Sequence, residues 1–338
     1  MAMSSLPTGA GPGPGTGTGT GNGNGTDAGP DAVDDSRASA ERRRRGRGRG
    51  RGASGVAGWP FVVPFLVFFV LFLVVPIGFG LWMSFTDSSL TGHGDTAFAG
   101  LGNYTEAFTD SEVWQSLGNT AWFTVLSSVP LVLFALVMAL LVHTGLPGQW
   151  VWRLSFFAPY LLPVAVVTQV WNLLYQPESG MFNTVLKAVG IDGIGWLVEE
   201  RYAMWSVAIL TLWWTVGFNF LLYLAALQSV PDHLYEAAAL DGAGAWRRLW
   251  SITLPQLRRT TGLIAVLQVL ASLKVFDQIY LLTKGGPAGS TRPILEYIYD
   301  TGFTNYRLGY ASAVSYVFFA IVLVLSLAQL KLFSRRED

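Results

Sequence analysis

The sequence predicts an all-α integral membrane protein with six transmembrane helices. Three observations carry that prediction: the composition, six long apolar stretches, and an uneven placement of Lys and Arg. Of 338 residues, 51% are hydrophobic and 13% are charged, whereas soluble domains carry about 25% charged residues to wet their surface. A hydrocarbon core takes about 20 apolar residues to cross. Lipid offers the backbone no hydrogen bonds, so spans of this kind are helices, and no alternating strand pattern competes.

Residues 1–58 form the first element, a tail rich in Gly, Thr, Pro and Asn that cannot bury enough apolar surface to order itself. It ends in Arg42, Arg43, Arg44 and Arg45, then Arg47, Arg49 and Arg51. This run reads as a positive-inside retention signal, with an anionic-lipid or RNA patch as the other reading. A cleaved signal peptide fits less well, because the apolar run that follows is long and lacks a small-residue cleavage site.

The six spans are Trp59 to Thr86, Val113 to Val142, Leu154 to Pro177, Tyr202 to Pro231, Thr260 to Thr283 and Leu308 to Leu330. Together they make residues 59–333 one transmembrane domain, with 334–338 as a short tail. Only the fifth span carries charge, at Lys274 and Asp277. With the N-terminal tail inside, sixteen of the 22 Lys and Arg fall on inner segments and five on outer ones. Both termini are therefore expected in the cytoplasm of a bacterial-type plasma membrane.

Several chemistries drop out. The chain has no cysteine, so thiol catalysis and disulfides are excluded. Its net charge of zero argues against a nucleic-acid partner. His93, His143 and His233 are scattered without a ligand spacing, which predicts no metal site. No Gly-x-x-x-x-Gly-Lys-Ser/Thr phosphate loop occurs, so no cofactor is expected on this chain and any use of ATP must come from a partner. No nucleophile, base and orienting residue occur in a recognisable spacing, so the chain reads as no enzyme.

The loop at 231–255 is unusual. Pro231 suits a first helical turn and Asp232 complements the positive end of a helix. Glu236 to Leu240 is strongly helix-forming, and Gly242 is free to leave the right-handed region, predicting two short helices with a turn between them. Trp246, Leu249, Trp250 and Thr253 recur at i, i+3, i+4 and i+7, a mostly apolar stripe with Arg247 and Arg248 beside it. A helix end is expected near Pro255. A helix lying at the membrane interface is the plainer reading of such a segment.

Glu236-Ala237-Ala238, Asp241-Gly242-Ala243 and Ile252-x-Leu254-Pro255 resemble the EAA loop of the permease subunits of ATP-binding-cassette importers. The resemblance covers residues 59–333 and implies a type I ABC importer permease bundle. It also implies that the loop docks into separate nucleotide-binding ATPase subunits, which hold ATP and Mg. By the same resemblance Glu236 meets donors of the ATPase, Ala237 and Ala238 allow close approach, and Gly242 sets the turn; Arg247 completes the coupling set. Gly100-Leu-Gly-Asn-Tyr104, Lys274-Val-Phe-Asp277, Leu282-Thr-Lys-Gly-Gly-Pro287 and Gly309-Tyr-Ala-Ser-Ala313 are similar to the sugar-permease branch, the carbohydrate uptake group that also takes up glycerol phosphate. Some maltose-type relatives carry extra N-terminal spans and a large periplasmic insertion, and this chain has neither. The resemblance further implies a second permease subunit, as a heterodimer, and an extracytoplasmic solute-binding protein.

Charged residues inside a span usually face a cavity or one another. Lys274 and Asp277, read as i, i+3 neighbours on one helix, either line the translocation path with Ser272 or neutralise each other. Gly217 and Asn219 lie where the resemblance places a sugar-contacting stretch, and Gln169 and Asn172 add amides that both donate and accept. The rival reading is an ion-coupled secondary carrier that uses the Lys274 and Asp277 pair and no ATPase.

Overall fold

A computed structural model describes residues 59–89, 97–145 and 147–334. The expectations placed on residues 1–58 and on Arg335 and Arg336 lie outside the described residues. Two compact units divide at Val70. In the first, α1 (Trp59–Phe69) is apolar along its length, and its described side chains are exposed, as a lipid-facing surface requires. Phe65 and Phe69 pair one turn apart with ring centres at 6.0 Å.

The boundary falls inside a π turn at Val70–Val74, and the second unit continues with α2 (Val75–Ser84), then α3 (Gly102–Thr109) and α4 (Ser111–His143). Next come α5 (Gln149–Phe157), a short 3-10 turn Ala158–Leu161, α6 (Val164–Leu174), α7 (Met181–Ala188) and α8 (Glu200–Gln228). Then follow α9 (Asp232–Leu240), α10 (Ala245–Arg248), α11 (Leu254–Leu273), α12 (Asp277–Leu282), α13 (Ile294–Tyr299) and α14 (Leu308–Ser334). No strand occurs among the described residues, only the isolated bridges Thr86 to Phe98 and Ser89 to Arg307.

Among the described residues, four helical stretches are long and apolar enough to cross a membrane: Val62–Ser84, Ser111–His143, Glu200–Gln228 and Leu308–Lys331. The third expected span is present but broken. Gln149–Leu161 and Val164–Leu174 meet at 98°, because Pro163 disfavours a helical conformation at Leu162, whose ψ is 137°. The Trp214 indole donates to the Leu162 carbonyl at 3.2 Å, pairing a group the break releases. The fifth expected span is also interrupted, with α11 stopping at Leu273 and α12 starting at Asp277.

Two long helices organise the unit. Leu131, Ala135 and Ala139 of α4 pack against Phe220, Tyr223 and Leu227 of α8 and Leu257 and Ile264 of α11. Nearer the other end of the helices, Phe123 joins Trp171 and Tyr175 with Val207, Leu210 and Ile279. A third cluster sets Ala107 and Val113 against Ile294, Tyr297, Tyr310 and Val314. The hydroxyls of Thr120, Thr124 and Ser127 bond back to carbonyls one turn earlier, which lets a polar face sit inside the bundle.

Two of the sequence motifs resolve into one clasp. The Asn103 amide donates to the Ser84 and Thr86 carbonyls, both at 3.0 Å, tying α3 to the end of α2. Gly309 lies so close that a β-carbon there would collide with the Thr86 carbonyl oxygen, and its N–H donates to Ser88 at 3.0 Å.

Candidate functional site

The 231–255 segment folds as two short helices around a tight turn. Pro231 precedes α9 rather than opening it, its ψ of 130° being extended, and Asp232 begins the first turn. The helix closes at Asp241. Gly242 N–H donates to the Ala239 carbonyl at 3.1 Å and Ala243 N–H to the Ala238 carbonyl at 2.8 Å. This is the paired bonding of a Schellman stop, and it needs the left-handed backbone that Gly242 supplies at φ +74°.

Pro255 does not end a helix, contrary to expectation. It sits in the first turn of α11, and Leu249–Thr253 forms a π turn just before it. Proline lacks the N–H and its ring crowds the carbonyl four residues back; the wider turn opens the hydrogen-bond ladder at that point. The helical path therefore continues from Ala245 to Leu273. The Tyr235 hydroxyl and the Thr253 hydroxyl share a 3.0 Å hydrogen bond that fastens α9 to this path.

The surface of the segment is open. Glu236, Ala237, Asp241, Gly242 and Arg247 are exposed, Ala238, Ala243, Ile252 and Leu254 are half-buried, and Pro255 is exposed. The expected stripe divides: Thr253 is buried, whereas Trp246 is 73% exposed and meets Trp250 edge to face at 6.0 Å. Leu240 is 90% exposed, so the tip presents apolar surface beside its charges.

The candidate path residues separate into two groups. The Asn219 side chain of α8 donates to Gln268 Oε1 at 2.7 Å, and the Gln268 side-chain amide donates to the Ser272 hydroxyl at 3.0 Å. Ser272 in turn shares a 2.9 Å bond with Ser127 and accepts from Ser128 at 3.1 Å. All five residues are buried, so Asn219 and Ser272 belong to one polar chain that links α8, α11 and α4. Sequence reasoning missed Gln268, Ser127 and Ser128, although Gln268 and Ser272 stand one turn apart in an apolar run, a spacing that could have pointed to them. Gly217 is a packing position: a β-carbon there would collide with the Phe156 carbonyl oxygen and lie 2.8 Å from the Phe157 Cα.

The second group is exposed and separate. Gln169 and Asn172 lie on the open side of α6, whose buried side is Val167, Thr168 and Trp171. Lys274 and Asp277 are not i, i+3 neighbours on one helix, because Lys274 caps α11 and Asp277 opens α12, with Phe276 between them at φ −150°. The turn is forced by α12 carrying Ile279 and Leu282 into the cluster around Trp171. Both charges are exposed, and among the described residues no ion pair joins them.

Beyond α12 lies a group of ionisable residues that composition did not flag. Arg292 reaches Glu112 at 3.1 Å and lies over the Tyr297 ring at 4.8 Å. Beside it Glu296 is 1% exposed, and its Oε2 has no hydrogen-bond partner. Burial, reinforced by the neighbouring Asp300 and opposed by Arg292, pushes its carboxyl up to about 7. Arg307 makes a two-point contact with Glu106, 2.8 Å on each branch.

Known proteins share both sequence and fold with this chain. Residues 114–337 match the family described as the inner membrane component of binding-protein-dependent transport systems. A probable ABC transporter permease protein of Bacillus subtilis, YurN, is 36% identical over 82% of this chain and 96% of its own length. The trehalose/maltose transport system permease protein MalF of Thermococcus litoralis is 33% identical over 83% of this chain and 95% of its own. A crystal structure of a bacterial ABC transporter involved in alginate import contains a chain with TM-score 0.71 at 24% identity, covering 82% of this chain and 94% of that one. With a family match over most of the spans and relatives aligned along nearly their whole length, the chain belongs to the inner-membrane components of binding-protein-dependent transport systems.

Proposed function

We propose that this chain is the permease subunit of an ATP-driven importer that carries a sugar, an oligosaccharide or a related polyol such as glycerol phosphate, into the cytoplasm. The observation that carries the reading is the Schellman-closed turn at Gly242 between α9 and α10, with Glu236, Leu240 and Trp246 presented outward. Such a tip fits a groove on another protein. ATPase subunits holding ATP and Mg dock there, a second permease completes the pore as a heterodimer, and a solute-binding protein delivers the ligand outside. Both termini lie in the cytoplasm.

Force applied at α9 passes through the Tyr235 to Thr253 bond into the continuous 245–273 helix. That helix carries Gln268 and Ser272, so movement of the tip acts directly on the polar chain that holds α4, α8 and α11 together. Lys274, Asp277, Gln169 and Asn172, all exposed, supply polar groups to the solute path. The sugar assignment draws on the relative named for trehalose and maltose transport.

Deletion of residues 236–243 tests this. The expected variant inserts into the membrane at the wild-type level yet neither retains the ATPase nor takes up solute. Uptake that persists in the variant, or that collapses with an ion gradient while ATP remains, refutes it in favour of a secondary carrier.

A further inference from the structure

The segment that follows α12 is fastened to α4 at several points. The Asn119 amide donates to the Gly289 and Arg292 carbonyls at 2.8 and 3.0 Å, and the Ile294 N–H donates to the Thr120 hydroxyl at 2.9 Å. Arg292 adds the charged tie, reaching Glu112 at 3.1 Å. Ala288, Gly289 and Arg292 face Glu112, Gln115 and Ser116 across a small polar cavity.

Arg292 has a second carboxyl within reach. A β-carbon on Gly285 would lie 2.8 Å from the Arg292 Cβ and 3.2 Å from Glu296 Oε1, so both side chains pass the same point beneath the Gly285 backbone. Arg292 Nε is buried without a hydrogen bond, 3.9 Å from Asp300, and Glu296 Oε2 is likewise buried and unpaired. The groups that face Glu296 are Arg292 and Asp300 on its own segment and Tyr280 on α12, with Glu112 of α4 behind Arg292. The Tyr280 phenol stays neutral where carboxyls titrate.

The two pairings of Arg292 differ in weight. The Glu112 side chain is 61% exposed, so water solvates it when Arg292 leaves, and a pair of this kind contributes little. Glu296 is shut off from water, so its carboxylate needs a cation and its neutral acid does not.

We propose that Glu296 is a regulatory proton-binding site. Protonated, it leaves Arg292 on Glu112 and the 285–300 segment tied to α4 by charge; ionised, it draws Arg292 inward and frees Glu112. Burial and the neighbouring Asp300 hold its carboxyl at about 7, so it changes state across the neutral range. The proposal rests on the importer reading for two points only, that the segment lies outside the cell and that its state reaches the ATPase.

The chain has no cysteine, so Gln115→Cys places a single environment-sensitive fluorophore at the cavity. The labelled full chain, with the subunits that copurify, is titrated in nanodiscs. Emission is expected to change with a midpoint near pH 7. Glu296→Gln, which imitates the protonated acid, should hold the acid signal at every pH, and Glu112→Ala, at an exposed position, should remove the acid signal. The functional readout is ATP hydrolysis by the assembled complex, taken as the ratio of wild type to Glu296→Gln so that the ATPase's own pH dependence cancels. That ratio should be one at about pH 6 and depart from one by up to about fivefold at about pH 8, the weight of one exposed ion pair. Emission that does not titrate between about pH 5.5 and 8.5, or that still titrates in either variant, overturns the proton site and leaves ATP-driven import standing. Titrating emission with a ratio of one at both pH values overturns the regulatory role. Titrating emission in a complex that hydrolyses no ATP overturns the importer reading and leaves the proton site standing.

Discussion

Replacing Gly242 with Ala isolates one physical term in the coupling loop. The backbone there is at φ +74°, and a β-carbon would meet nothing within 4 Å. No clash with the rest of the chain enters, so the cost is that of holding an L-residue in the left-handed region, about 1–2 kcal/mol. At 1.4 kcal/mol per tenfold change, the population of correctly closed loop falls roughly five- to thirtyfold relative to competing conformations. A docking partner that needs the closed loop should lose apparent affinity by a similar factor. The assay is titration of the purified ATPase against the permease in nanodiscs, followed by binding-stimulated ATP hydrolysis. Gly242→Asn should fall between wild type and Gly242→Ala, because Asn enters the left-handed region more readily, while Gly242→Val should be worst. Equal affinity for wild type and Gly242→Ala, or an Asn variant weaker than the Ala variant, would show that the turn geometry does not govern docking.

Gly217→Ala should destabilise the bundle by about 1–3 kcal/mol, because its β-carbon meets the backbone of Phe156 and Phe157 rather than a movable side chain; detergent thermal melts read this directly. Gln268→Ala strands the Asn219 amide inside the bundle, while Ser272 keeps its bonds to Ser127 and Ser128, and should cost about 1–3 kcal/mol, with Asn219→Leu added to Gln268→Leu recovering much of the loss. Glu296 makes stability depend on pH: its folded carboxyl titrates at about 7 against 4.5 in the free group. The stability that this carboxyl contributes is therefore fully present below 4.5 and is lost as the pH rises through 7, about 3 kcal/mol in all. Glu296→Gln should flatten that slope in denaturation curves taken between those limits, and an unaltered slope would place the titrating group elsewhere.

The sequence by itself determined the features that depend on local chemistry. Helices spanning 113–142 and 202–228 could be read from apolar length, because a backbone in lipid has only one local solution. The turn at Gly242 was legible for a similar reason: a left-handed residue is a property of one position and its neighbours. Tertiary structure decided what depends on distant partners. Asn219 and Ser272 were singled out as separate path residues, and only the packing of α8 on α11 and α4 joined them through Gln268. Lys274 and Asp277 looked like one-turn neighbours until the burial of Ile279 and Leu282 against Trp171 broke the helix between them. Pro255 looked like a stop, yet the π turn before it carries the helix through, a ladder adjustment the side-chain pattern does not encode. The aromatic cluster of Phe276, Tyr280, Tyr299 and Phe303 is drawn from separate segments, so no periodicity along the chain could announce it; contacts across 23 residues of sequence, as between Phe276 and Tyr299, exist only once the helices have packed.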